Sequence, residues 1–365
     1  MQGITLDQEH FAVKILPGRV AKGFRMNLMI LAAGYGTRLR PLTDIRPKAL
    51  CPVWGKPLLE RWIWQAAEEG FRRVVVNAHH MPQKMTEYFE SHSWPIPVQV
   101  LVEQEILGTG GGVRQALEVL DDATLMVVNA DVAAKVSLRG LVAIHQSRGA
   151  PATMLLCRTH RFDTVRVNAE GTAVTGFCPL TTASGQSGLW TFTGIHVLEP
   201  SALRSMPLRK PFHIIDVYKD WIAHGTPPAA VCQEHLWWLD MGSLESYWNL
   251  HAAYDRIPDD GVRFLGIAPS GVWLHPSATV ASSAQLTGVV VGEASTVERD
   301  CVLHNVILWK GCRIEPETML ENCLVTDGAV VWGRHRNAIF LPSAAPVFFG
   351  QAVNPSSPSS HSMAL

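Results

Sequence analysis

Two glycines and two cations stand close together early in the chain. Gly34 and Gly36 flank Tyr35, Arg38 follows two residues on, and Lys48 comes directly after Pro47. An apolar run, Met26 to Leu31, leads into them and reads as a buried strand. Glycine has no Cβ, so backbone N–H groups around Gly34 and Gly36 can come close to an anion. Arg38 and Lys48 bring positive charge to the same loop. The combination suits a polyphosphate. It is neither of the two common phosphate loops. Leu39 stands where the dinucleotide pattern G-x-G-x-x-G needs its third glycine, and Gly55-Lys56 is followed by Pro57 where a P-loop needs Ser or Thr.

The elements that must carry this loop alternate in type. Helical spacing from Leu58 to Glu69 stops at Gly70, a natural C-cap. Arg73 to Asn77 is a β-branched run, Met81 to Glu90 has helical spacing, and Val98 to Val102 reads as a strand. A helix is expected from Val113 to Leu120 and a strand from Thr124 to Val128. This order predicts an α/β fold with a Rossmann-like, mixed but mainly parallel sheet and helices on both faces. Ligands of such sheets sit beyond the carboxyl ends of the strands. The Gly34 loop and Asn129-Ala130-Asp131 both fall at such ends, so they are placed to meet.

Near Gly261 the pattern changes. Val280, Leu286, Val291, Val297, Val302, Ile307, Ile314 and Leu324 recur at intervals near five or six residues. That is the period of a hexapeptide β-helix, in which each side of a triangular coil buries one apolar residue. A plain antiparallel sheet is the alternative. Residues 26–260 therefore read as one domain and 265–335 as a short left-handed β-helix. Residues 343–365 are rich in Pro and Ser and read as a loose tail. Residues 1–25 read as an extension ahead of the first strand, unless Met26 is the start.

With 31 basic and 32 acidic side chains, the net charge of −1 gives no field favouring nucleic acid or an anionic membrane. The seven cysteines are odd in number and form no C-x-x-C, which predicts reduced thiols and a cytoplasmic setting. No apolar run approaches the roughly 18 residues of a membrane helix. His79-His80 reads as a loop pair rather than a metal pair.

The string Leu31-Ala32-Ala33-Gly34-Tyr35-Gly36-Thr37-Arg38-Leu39-Arg40-Pro41-Leu42-Thr43, continued to Pro47-Lys48, resembles the N-terminal signature of the sugar-1-phosphate nucleotidyltransferases. The resemblance runs over residues 26 to 335, including His275-Pro276-Ser277-Ala278 and the repeats after it. Within that family it looks closest to the mannose-1-phosphate guanylyltransferases and the N-acetylmuramate-1-phosphate uridylyltransferases. It implies an enzyme that joins a nucleoside triphosphate to a sugar 1-phosphate and releases pyrophosphate. A phosphate nucleophile is already largely ionised at neutral pH, with a second pKa of about 6, so no general base is needed. The protein must align two polyanions and neutralise charge on the leaving oxygens.

The resemblance assigns Arg38 to the leaving pyrophosphate and Lys48 to the reacting phosphates. Arg suits the first task because its fork binds two oxygens at once. Leu31, Ala32, Ala33, Gly34, Gly36 and Thr37 are implied as nucleotide contacts. Glu105, Gly108, Thr109 and Gly110, in a second glycine-rich segment, are implied to lie beside the base. Asp131 resembles the family's metal aspartate after a strand, and Asp240, in Trp238-Leu239-Asp240-Met241-Gly242, resembles the second. Together they imply a Mg2+ site, since magnesium takes one or two carboxylates plus substrate phosphates. Asn129, Thr193, Gly194 and Asp216 are implied for the sugar. One departure stands out. Gly176-Phe177-Cys178-Pro179 occupies the place of the family's Glu-Lys-Pro, so either sugar recognition is altered or a nearby residue such as Arg161 or Arg166 is expected to substitute. The alternative is a non-catalytic regulatory or scaffold subunit of the same fold; such chains lose the Arg, the Lys or an Asp, and this one keeps all four. His304 reads as a coil-surface residue rather than a base for acyl transfer. The β-helix is expected to serve assembly into a homo-oligomer, or regulation, with no nucleic acid or membrane partner.

Overall fold

A computed structural model describes residues 25–159, 161–180, 188–252, 254–342 and 344–349. The expected extension at 1–24 and the expected tail at 343 and 350–365 lie outside them. The chain groups into two compact units. One comprises residues up to Tyr35, Arg46–Cys51 and Pro57–Asp240; the other comprises Gly36–Ile45, Pro52–Lys56 and residues from Met241 onward. The division near 240, and the two early segments that join the C-terminal part, depart from the simple 26–260 domain read from the sequence.

The first unit is built on a seven-stranded sheet. Its order is Ala229–Gln233, Ala152–Cys157, Thr191–Leu198, Thr124–Asn129, Met26–Leu31, Arg73–Ala78, Val98–Val102. Thr191–Leu198 runs antiparallel to both neighbours, and every other pairing is parallel. Leu28, Met29, Ile30, Val74, Val75, Val76, Met126, Val127 and Val128 are wholly buried. Helices cover both faces of these strands, which is why they read as continuous apolar runs rather than alternating ones.

Helix Leu58–Glu68 turns Leu58, Leu59, Trp62, Ile63 and Ala66 inward, the three-and-four spacing of a one-sided helix. Its Trp62 indole N–H donates to Val132 O at 2.9 Å. Just beyond the helix, Glu69 accepts from Leu138 N at 3.2 Å and Arg139 N at 2.6 Å. These are first-turn donors of helix Leu138–Arg148, which have no partner inside the helix. The stretch from Val132 to Arg139 is thereby held at both ends.

The expected Val113–Leu120 helix instead spans Gly108–Ala116. Its opening glycines are poor helix formers, but crowding demands them. A Cβ at Gly108 would stand 2.6 Å from Phe212 O, one at Gly110 2.3 Å from the Phe212 ring, and one at Gly111 2.6 Å from Lys210 O. The helix starts where the 210–212 backbone lies against it.

In the second unit, Gly36–Ile45 forms two short 3-10 turns that bury Leu39 and Leu42. The 52–54 segment is held from residues far along the chain. Tyr247 OH donates to Pro52 O at 2.7 Å, Trp54 Nε1 donates to Leu250 O at 2.8 Å, and Trp309 Nε1 donates to Tyr247 OH at 2.9 Å. From residue 273 the chain coils into stacked parallel strands. Gln285 pairs with Val302 and Val302 with Met319, while Thr279 pairs with Thr296 and Thr296 with Arg313. These coils thus advance 17 residues rather than three full hexapeptides, and the last, from Leu324 to Ile339, advances 15. Val289, Val291, Leu303, Val306, Ile307, Cys323 and Leu324 fill the interior, while Val280, Leu286 and Val302, expected inside, are partly exposed. Cys301, Cys312 and Cys323 are buried free thiols standing in for aliphatics. Within the segment expected to be loose, Val347–Phe348 pairs antiparallel with Ala338–Ile339. Among the described residues, no helix is long and apolar enough to cross a membrane.

Candidate active site

Three parallel strands end side by side and fix the loop that follows Met26–Leu31. Ala130 N donates to Leu31 O at 3.0 Å, from the strand on one side. Ala32 N donates to Asn77 Oδ1 at 2.7 Å, on the strand at the other. The loop then opens. Gly34 is exposed, with nothing within 4 Å of where a Cβ would stand. Gly36 takes the left-handed conformation at φ 64° and starts the turn Thr37–Leu39. Thr43 Oγ1 donates to Gly36 O at 3.0 Å and pins that turn. Arg38 is exposed on it, while Arg40 pairs with Asp44 at 3.1 Å.

Lys48 and Asp131, 83 residues apart, meet in the fold. Lys48 Nζ donates to Asp131 Oδ2, and the two side chains are only 14% and 24% exposed. Asp240 lies in Trp238–Asp240, which pairs antiparallel with Val132–Ala134. The register sets Asp240 opposite Val132, the residue after Asp131. Two carboxylates expected to share a cation therefore stand at adjoining positions of one strand pair. The Lys48 ammonium already fills the place of a cation on Asp131. The donor set is hard oxygen only, which fits a hard divalent cation with substrate phosphates completing the shell. Among the described residues, no cluster of three or more His, Cys, Asp or Glu could hold a metal by itself.

The expected sugar residues divide. Asn129 packs so closely on Gly194 that a Cβ there would meet its Nδ2 at 2.5 Å, and Gly194 has φ 76°. Thr193 is wholly buried, and its hydroxyl donates to Leu155 O at 2.8 Å. Its carbonyl accepts from Trp238 Nε1 at 2.9 Å, tying it to the strand of Asp240. Asp216 stands apart, exposed in the first turn of Ile214–Ala223 and paired with Lys219 at 3.2 Å. Arg161 lies 5.1 Å over the Phe162 ring, and that ring meets Trp238 edge-on at 6.3 Å. Arg166 is exposed on strand Val165–Val167. Of the two proposed substitutes, Arg161 has the ring contacts leading to Trp238.

The second glycine-rich segment is also mixed. Gly110 N and Gly111 N both donate to Phe212 O, at 3.0 and 3.3 Å. Thr109 Oγ1 accepts from Ile214 N at 3.0 Å. The close approach that these glycines permit is made by the 210–214 backbone. Glu105 is exposed, whereas Glu103, two residues earlier, is 3% exposed and holds Asn77 and Leu107. Sequence reasoning missed Asn77 and Glu103. The signal was present: a lone Asn near the end of a β-branched run, and a carboxylate directly after the Val98–Val102 strand.

A model of the nucleotidyl transferase family matches residues 27–256. The UTP–glucose-1-phosphate uridylyltransferase of Synechocystis is 27% identical over 61% of this chain, which spans 62% of that relative's length. The mannose-1-phosphate guanylyltransferase of Mycobacterium tuberculosis is 28% identical over 74% of this chain and 76% of its own. A crystal structure of HddC from Yersinia pseudotuberculosis complexed with GMP-PN shares the fold over 62% of this chain and 99% of that one, at 19% identity and a TM-score of 0.52. With the match covering most of the chain, and with the sheet and its strand-end loops as described, this protein belongs to the nucleotidyl transferase family.

Proposed function

We propose that the protein transfers a nucleotidyl group from a nucleoside triphosphate to a sugar 1-phosphate. An oxygen of the sugar phosphate bonds to the α-phosphorus, the bond from that phosphorus to the bridging oxygen breaks, and pyrophosphate leaves with the electron pair. The observation that carries this reading is the meeting of Lys48 with Asp131 beside the strand of Asp240.

Lys48 brings its ammonium, held on Asp131 in this structure, to the reacting phosphates. Arg38, exposed on its turn, takes the β- and γ-phosphate oxygens with its fork. Backbone N–H groups from Ala33 to Gly36 are the remaining donors, since Ala32 N is already engaged by Asn77. Asn129 and the backbone at Thr193 and Gly194 border the sugar. Asp131 and Asp240 would hold Mg2+, which would offset charge on the phosphates. We assign the nucleotide to GTP or UTP, since guanylyl- and uridylyltransferase relatives both align with most of this chain. Seven buried free thiols support a reducing, cytoplasmic setting, and the stacked coils suit self-association.

Pyrophosphate release, measured over a grid of GTP, UTP, ATP and dTTP against mannose, glucose, heptose and N-acetylmuramate 1-phosphates, tests the proposal. Turnover with one triphosphate and a dependence on divalent ion support it. Folded protein that turns over no pair overturns it.

A further inference from the structure

A hydrogen-bonded ring links the two glycine-rich stretches, and Glu103 is its hub. Ala32 N donates to Asn77 Oδ1 at 2.7 Å, and Asn77 Nδ2 donates to Glu103 Oε1 at 2.7 Å. Leu107 N donates to Glu103 Oε2 at 3.0 Å. The Glu103 carbonyl meets His79 Nδ1 at 2.9 Å, and His79 Nε2 meets Tyr35 OH at 3.1 Å. A carbonyl only accepts, so His79 Nδ1 carries a proton and donates to it. The ring closes through the chain from Ala32 to Tyr35. Asn77 and Glu103 are 2% and 3% exposed.

The donor order leaves little freedom. Ala32 N–H needs an acceptor, which turns the Asn77 oxygen toward it and the Asn77 amide toward residue 103. Leu107 N–H needs a second acceptor there. Only a side chain with two acceptors satisfies both, and a glutamine would set N–H against N–H at one of them. Burying a carboxylate is costly, and neutral alternatives are cheaper where shape alone matters.

We propose that Glu103 is the positioning residue of the nucleotide site, setting the spacing between the Ala32–Tyr35 backbone and the Leu107–Thr109 backbone so that both meet one bound triphosphate. This rests on the nucleotidyl transfer reading. The test uses Glu103→Gln, Asn77→Asp and the double variant. Glu103→Gln opposes two donors, and Asn77→Asp opposes two carboxylates. The double variant restores the order: the new carboxylate at 77 accepts from Ala32 N and from the new amide at 103, whose oxygen accepts from Leu107 N.

Each single variant is expected to lose about ten- to a hundredfold in kcat/KM for the triphosphate, with KM for the sugar phosphate changed less than about twofold. The double variant is expected to recover to within about threefold of the parent. Singles with parental kinetics, a double no better than the worse single, or an equal loss for both substrates overturns the proposal. If a single variant does not fold, the double decides: a folded double with parental triphosphate KM supports the proposal, and one with KM raised about tenfold overturns it. A parent that turns over no pair defeats the activity reading instead. The same variants are then compared by equilibrium dialysis of GTP and UTP, where loss in the singles and return in the double support the proposal and equal binding overturns it.

Discussion

Lys48→Met should tighten divalent metal binding in the substrate-free protein while abolishing turnover. The metal and the Lys48 ammonium compete for one carboxylate, Asp131. Two unit charges in hydrogen-bond contact attract by about 5 kcal/mol at an effective dielectric near 20. Much of that is offset by desolvation. Exposed pairs are worth up to about 1 kcal/mol, and breaking a buried pair costs about 3–5 kcal/mol. With side chains 14% and 24% exposed, the cost of freeing Asp131 falls between, at about 2 kcal/mol. Removing the competitor returns that amount to the metal, a gain of roughly thirtyfold in affinity. Calorimetric titration of parent and variant with MnCl2 and MgCl2, without nucleotide, reads it directly. Folded Lys48→Met that binds metal no more tightly than the parent would refute the idea that Lys48 and the ion share Asp131.

Arg38→Ala removes an exposed side chain, so the unfolding midpoint should hold while kcat/KM falls by about a hundredfold or more; retained activity on a pyrophosphate-release assay removes Arg38 from the phosphate site. Gly194→Ala introduces a left-handed alanine with its Cβ 2.5 Å from Asn129 Nδ2, which should cost about 1–3 kcal/mol in urea unfolding, whereas Gly34→Ala, in open space, should leave stability unchanged. Equal stability of the two variants contradicts that contrast. Burial drives the His196 pKa down to about 3, and burial also lowers that of His145. The unfolded chain then binds more protons than the folded one below about pH 6.5, so stability should fall with acidification, by about 2 kcal/mol for His196 alone at pH 5. A urea midpoint equal or higher at pH 5 than at pH 7 runs against this.

The sheet was legible where the physics is one-dimensional. Met26–Leu31, Arg73–Ala78 and Thr124–Asn129 are buried on both faces, so unbroken apolar runs announced them. Lys48, Asp131 and Asp240 were singled out through resemblance, and the register that sets Asp240 opposite Val132 is a strand pairing that spacing alone does not encode. The helix at Gly108–Ala116 was misjudged because its first turn is dictated by Phe212 and Lys210, a hundred residues on, against glycine's own preference. Asn77 and Glu103 escaped notice because a polar residue at a strand end looks the same whether it caps, faces water or anchors a loop. The coils read as five or six residues per side, but their 17-residue advance came only from the register.

The partners of the 52–54 segment carry a consequence for synthesis. Pro52 O, the Trp54 indole and Trp54 N wait for Tyr247, Leu250 and His251, which follow 195 to 197 residues later. At ribosomal speeds of about 5–20 residues per second, that is a delay of roughly 10–40 s. During it the sheet strands can already pair, while Trp54, buried in the finished protein, has none of these anchors. A nascent chain arrested before Tyr247 should therefore be cut by protease near Trp54, and the same bond should become resistant once Leu250 has left the exit tunnel.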